Sequence, residues 1–204
     1  PLDLFPGLTG YAHLVLAPGM AALIDVGSGF GESNEQLEAG MVAVRQVHGE
    51  AVDWGSLTHV LITHGHIDHY GGLSFVRQRT RAPVGIHHFD RSVLTDYERR
   101  LEAMAGRLRR FLETAGVEPE EQLALMELYL FTKHLFTAQG VDFVVRREQS
   151  GLGPIQVLHV PGHCPGQLVL RVADVLLTSD HVLRGLRRTW RRALWRSTPA
   201  WPNT

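Results

Sequence analysis

Thr63-His-Gly-His-Ile-Asp-His-Tyr-Gly-Gly72 sets three histidines and one aspartate between positions 64 and 69, directly after an apolar run. Zinc takes imidazole nitrogens and carboxylate oxygens in roughly tetrahedral sets, and a catalytic site keeps one position for water. His64 and His66 alternate along an extended stretch, so both rings can converge on one ion from the end of a strand. Asp68 and His69 follow on the same turn and can face a second position. Gly65 reads as a bend in the loop, and Gly71-Gly72 as room for the next helix to start close to the metals. Solvated loop histidines are the plain alternative, and the order and density of the pattern weigh against them.

Working outward, residues 57–63 read as the strand that delivers this loop, and 72–79 as a short helix after it. Upstream, 20–26 is a buried strand running into the tight turn Gly27-Ser28-Gly29. Ser33-Asn-Glu-Gln36 has capping-box spacing, Leu37, Met41 and Val44 recur at helical intervals, and Gly49 can stop that helix. Residues 84–88 form another strand after Pro83. Alternating strands and helices give an α/β (α+β) domain. Residues 90–139 differ. Leu94, Tyr97, Leu101, Met104, Leu108, Phe111 or Leu112, and Ala115 fall on one helical stripe, Gly116 breaks it, and Leu123, Met126 and Leu130 begin a second. A helical hairpin is therefore expected as an insert, serving as scaffold, lid or dimer contact. Strands resume at 155–160, 168–172 and 175–178.

Composition narrows the field. The chain has 204 residues, 44% hydrophobic and 20% charged, which suits one globular domain. A net charge of −1 gives no case for a nucleic-acid partner. Lys133 is the only lysine beside many arginines, a bias that reads as codon usage rather than recognition. No apolar run approaches the ~20 residues that span a bilayer, so no membrane partner is expected. Pro1-Leu-Asp-Leu-Phe lacks a secretory pattern and Cys164 is the one cysteine, so the expectation is a cytoplasmic protein without disulfides.

Thr63–Gly72 resembles the signature of the metallo-β-lactamase superfamily, and three further stretches follow in that family's order. Leu23-Ile-Asp-Val-Gly27 is similar to its strand ending in aspartate and glycine, Val160-Pro-Gly-His-Cys-Pro-Gly166 to its second histidine loop, and Leu177-Thr-Ser-Asp-His181 to the strand end with its bridging aspartate. The resemblance covers roughly residues 8–183 and implies an αββα sandwich carrying two zinc ions along one edge. On these positions it implies that His64, His66 and His163 hold the first zinc. Asp68, the catalytic aspartate, and His69 would hold the second, with Asp180 bridging. It implies hydrolysis through a metal-bound hydroxide. Asp25 would steady the histidine loop from behind the ligands. Tyr70 is a candidate substrate contact and equally a packing residue, and Cys164 is read as a packed thiol. His87 and His88, at a strand end, are read as structural.

Histidine at position 66 separates the chain from the family's di-iron branch, and aspartate at 180 from the β-lactamases with cysteine there. What the resemblance leaves is a zinc-dependent hydrolase of a small acyl substrate, a thioester, lactone or ester, similar to glyoxalase II and the lactonases. The alternative is a non-catalytic or impaired zinc-binding fragment. The family places one more histidine tens of residues beyond the bridging aspartate. Here 24 residues follow Asp180, and His181 is their only histidine. Position 181 neighbours 180 in what reads as a strand and should point away. The expectation is one tight zinc, a second weak or absent, and an incomplete second half of the sandwich. Residues 184–204 hold six arginines and three tryptophans, and are expected to be disordered or non-native. A truncated or frameshifted coding sequence is favoured for them over an amphipathic segment or a short family variant. The domain proper is then 1–183.

Overall fold

The structure, a computed structural model, describes residues 1–133, 136–146 and 152–182. The arginine- and tryptophan-rich stretch 184–204, and the expectation of disorder placed on it, lie outside the described residues. In chain order the elements are β1 (Leu2–Phe5), β2 (Leu8–Gly10), β3 (His13–Ala17), β4 (Met20–Ile24), α1 (Ser33–Gln46), β5 (His59–Leu61), α2 (Ile67–Tyr70) and α3 (Leu73–Arg77). There follow β6 (Val84–His87), α4 (Arg91–Thr95), α5 (Tyr97–Thr114), α6 (Pro119–Lys133), β7 (Phe143–Val145), β8 (Ile155–His159), β9 (Leu168–Val172) and β10 (Val175–Leu177).

One sheet has five strands in the order β3-β4-β5-β6-β7, and a second has three in the order β10-β9-β8. β4 to β7 run parallel, β3 is antiparallel to β4, and β8–β10 are antiparallel throughout. Strand residues point alternately to opposite faces, and the two cores follow that alternation. Leu23, Val60, Ile62, Val84 and Ile86 face the helices with Leu37, Met41, Leu73, Val76 and Leu94. Ala22, Ile24 and Leu61 face the other way, against Ile155, Val157, Leu168 and Leu170 of the second sheet. The order is thus helices, sheet, sheet. Among the described residues, no helix is long and apolar enough to cross a membrane.

Several local expectations change. The spacing at 33–36 does not make a capping box: Glu32 is the N-cap of α1 and no side chain caps the end. Gln36 is instead engaged by β1, its Oε1 accepting from the Asp3 N–H at 2.6 Å and its Nε2 donating to Asp3 Oδ2 at 2.8 Å. The stripe from Leu94 onward does not belong to one helix. Asp96 leaves helical geometry (φ −119°, ψ 34°), ending α4 and starting α5, while Leu94 and Tyr97 still enter the same core. At the ambiguous pair, Leu112 is buried at 6% and Phe111 is 66% exposed. On α6 Met126 is buried, but Leu123 faces solvent at 62%. The short edge strand β7 and the β1–β2 hairpin were not anticipated.

Candidate metal centre

β4, β5 and β6 are parallel, so their C-terminal ends share one edge of the sheet, and the loops leaving them meet there. After β4 the backbone enters the left-handed region at Asp25 (φ 56°), where the Asp25 N–H donates to the Leu61 carbonyl at 3.0 Å. Its carboxylate then accepts three hydrogen bonds, from Thr63 N–H at 2.7 Å, Thr63 Oγ1 at 2.8 Å and His69 Nδ1 at 2.8 Å. After β5 the loop turns into α2. Close approach requires glycine there: a Cβ on Gly71 or Gly72 would collide with the carbonyls of Ser28 and Val26. Gly65 is tight for another reason than bending, because a Cβ there would lie 3.1–3.2 Å from Val93 and Asp90.

Two groups of donors result. Ligand atoms of His64, His66, His163 and Asp180 all lie within 4.8 Å of one another, and so do those of Asp68, His69 and Asp180. His163 Nε2 is 2.9 Å from His66 Nδ1 and 3.4 Å from Asp180 Oδ2. His69 Nε2 is 3.4 Å from Asp180 Oδ1 and 3.6 Å from Asp68 Oδ2. Asp180 therefore turns one oxygen to each group. It sits not in a strand but in a 3-10 turn, Ser179–His181, entered through a left-handed Ser179 (φ 45°). The strand alternation invoked for His181 does not apply; His181 is exposed and belongs to neither donor group among the described residues.

The donors fit a cation. His64 is wholly buried, and its Nε2 has no hydrogen-bond partner among the described residues. Burial, reinforced by the neighbouring His69 and His66 rings, pushes its pKa down to about 2, so the ring is neutral and able to ligate. Burial and then His163 hold His66 below the usual range as well. His69 behaves oppositely. Burial works to lower it, but Asp25 and Asp180 outweigh burial and raise its pKa to about 10. Asp180 in turn is lowered, first by its bond to His69. The carboxylates around His69 favour positive charge at that point.

A family profile described as the metallo-beta-lactamase superfamily matches residues 6–198. The chain belongs to the metallo-beta-lactamase superfamily. It is 28% identical over 131 residues to the probable metallo-hydrolase YqgX of Bacillus subtilis (strain 168), covering 62% of this chain and 50% of that protein. It is 28% identical over 174 residues to a hydroxyacylglutathione hydrolase of Anaeromyxobacter dehalogenans (strain 2CP-C), covering 85% and 46%. The chain thus spans about half the length of both relatives. Its fold is similar to that of the metallo-beta-lactamase family protein TTHA1429 from Thermus thermophilus, with a TM-score of 0.63, 23% identity and coverage of 86% and 55%.

Within this superfamily member the remaining candidates fall as follows. Tyr70, named as a candidate substrate contact, is 2% exposed and packed into the helix-side core, and burial raises its hydroxyl pKa. Cys164 is buried, its pKa pushed up to about 11 by burial and by Asp90, and its thiol donates to Asp90 Oδ2 at 3.2 Å. His87 is wholly buried, in contact with the Arg146 carbonyl at 3.1 Å and stacked on His159 with ring centroids 3.9 Å apart. Two residues escaped the sequence reading. Ser179 Oγ lies 2.8 Å from Thr63 Oγ1 and 3.5 Å from His64 Nδ1. Asp90 reaches both histidine loops; its only sequence signal was its position just past a strand end.

Proposed function

We propose that this chain is a zinc-dependent hydrolase of small acyl compounds, a thioester, lactone or ester. The observation that carries the proposal is the pair of donor groups sharing Asp180. His64, His66 and His163 would hold the first ion and Asp68 and His69 the second, with Asp180 between them. Three imidazoles and a carboxylate match the nitrogen and oxygen preference of zinc. Zinc in such a site lowers the pKa of bound water toward about 7 and polarises the oxygen of the electrophile.

The protein's own groups do the rest. Asp25, bonded to Thr63 and His69, fixes the loop and the orientation of the His69 ring, as carboxylates behind metal-binding histidines do. Neutral His64 and His66 present lone pairs without having to lose a proton near neutral pH. Asp68, whose side chain is 18% exposed, would serve as the carboxylate base that takes the proton of the attacking water and, once protonated, returns it to the leaving thiol or alcohol. The acyl class is supported by the relative named hydroxyacylglutathione hydrolase, which this chain matches over 85% of its own length. A small-molecule substrate, no nucleic-acid partner and a cytoplasmic setting, where a lone thiol stays reduced, complete the proposal.

A panel of thioesters, lactones, β-lactams and phosphodiesters, assayed with added Zn²⁺ on wild type and Asp68→Ala, tests it. Turnover of a thioester or lactone that is lost in Asp68→Ala is expected. Phosphodiester cleavage alone overturns the acyl class. A protein that binds zinc yet turns over nothing on the panel is a zinc-binding fragment instead.

A further inference from the structure

We infer that Asp90 is a positioning residue for the metal centre, a buried carboxylate that ties the His64–His66 loop to the His163 loop. Asp90 is 1% exposed and stands between β6 and α4, where its main-chain N–H donates to the His87 carbonyl at 3.0 Å. It occupies the N-cap of α4, yet its side chain caps nothing. The carboxylate is spent on the two loops. Oδ2 accepts from the Gly65 N–H at 2.9 Å and from the Cys164 thiol at 3.2 Å, and Oδ1 accepts from the Gly166 N–H at 2.9 Å. Gly65 is the residue between His64 and His66, and Cys164 directly follows His163. One side chain thus fixes the backbone on either side of the first donor group.

Both glycines are built for this approach. A Cβ on Gly166 would lie 2.5 Å from Asp90 Cγ, and one on Gly65 3.2 Å from Asp90 Cβ. Three donors need acceptors on both oxygens, so asparagine, nearly the same size, cannot replace aspartate. Its NH2 must face either the Gly166 N–H or the Gly65 N–H with the thiol, leaving a buried donor unmet. Groups behind metal ligands typically matter by 10–100-fold in affinity, and a carboxylate joining two ligand loops should lie in that range. The inference rests on the zinc reading of the first donor group, but its test separates the two.

Zinc affinity by competition with a chromophoric chelator, and the absorption spectrum of the Co²⁺ form, are compared between wild type and Asp90→Asn. The expected result is a 10–100-fold loss of affinity in Asp90→Asn with altered Co²⁺ band positions and intensities. A carboxylate serving stability alone would lower the metal-free melting temperature while leaving affinity and spectrum as in wild type; that result overturns the inference. Should Asp90→Asn not fold, Gly166→Ala decides, because its Cβ would lie 2.5 Å from Asp90 Cγ and push the carboxylate away from the His163 loop. A several-fold loss of zinc affinity upholds the inference, and wild-type affinity overturns it. If wild type itself binds no zinc, the zinc reading has failed rather than the role of Asp90 alone.

Discussion

His69 Nδ1 lies 2.8 Å from Asp25 Oδ2, and that bond turns the other ring nitrogen, Nε2, toward Asp68 and Asp180. The carboxylate thereby chooses which nitrogen is free to meet a cation. Replacing Asp25 by asparagine should keep the fold and lower zinc affinity at the Asp68–His69 group by about 10–100-fold. Chelator titration of the variant against wild type measures it, and unchanged affinity would remove Asp25 from the centre.

The first group makes a sharper demand. His64, His66 and His163 should bind one Zn²⁺ with nitrogen distances of about 2.0–2.1 Å, measurable by X-ray absorption. The double substitution His64→Ala/His163→Ala should lose that ion altogether. Full zinc stoichiometry in the double variant would count decisively against the assignment.

Helix α5 offers a stability test. Leu112 is 6% exposed and its neighbour Phe111 66%, although a helical stripe read from sequence could not choose between them. Leu112→Ala should cost about 2–5 kcal/mol, at the lower end because the hairpin is peripheral. Phe111→Ala should stay within about 0.5 kcal/mol. Urea unfolding of both decides, and equal losses would mean the exposed face of α5 is covered in solution.

Acid lability follows from Asp142, which joins the start of β6 to the β7 edge. Its carboxylate accepts from the Val84 N–H at 2.8 Å and from Arg77 at 2.9 Å, and these, the backbone bond foremost, hold its pKa below the usual carboxylate range. A folded-state pKa below the unfolded value of about 3.9 contributes stability that is present above that pH. The contribution is lost as pH falls through the lower, folded value. Asp142→Asn should therefore melt below wild type at pH 6–7, with the gap closing below about pH 4. A gap that stays constant with pH would mean that the charge of Asp142 contributes nothing.

How much of this could be read from sequence depended on how local the information was. His64, His66, Asp68 and His69 share one loop, so spacing alone suggested a common target. His163 and Asp180 emerged only through resemblance, because the fold, not the sequence, brings them to that loop. Asp90 stayed hidden: one aspartate beyond a strand end carries no pattern, and its partners lie 25 and 76 residues away. β7 was missed because a three-residue edge strand has too little alternation to stand out. The break between α4 and α5 was missed because the hydrophobic stripe runs through it unbroken. Tyr70 sat inside the motif yet faces the core, since neighbours on a helical turn point in different directions.

The two donor groups are unequal, and the inequality should set the order of metal binding. Three imidazoles and one oxygen of Asp180 give the first group four protein donors, to which a catalytic zinc can add a water by expanding to five-coordinate. The second group has Asp68, His69 and the other oxygen of Asp180, three donors among the described residues and one of them shared. Zinc prefers four ligands, so solvent must supply what the second group lacks. His181, exposed on the 3-10 turn, belongs to neither group. An imidazole bonded directly to the metal should matter more than the groups behind ligands, which are worth 10–100-fold, so the two affinities should differ by more than about 100-fold. Titrating the metal-free protein with Zn²⁺ in the presence of a competing chelator should give two separated steps. His69→Ala should abolish the weaker step and spare the stronger. Two equivalents held with the same affinity would show that the second group has a further ligand and that this ranking is wrong.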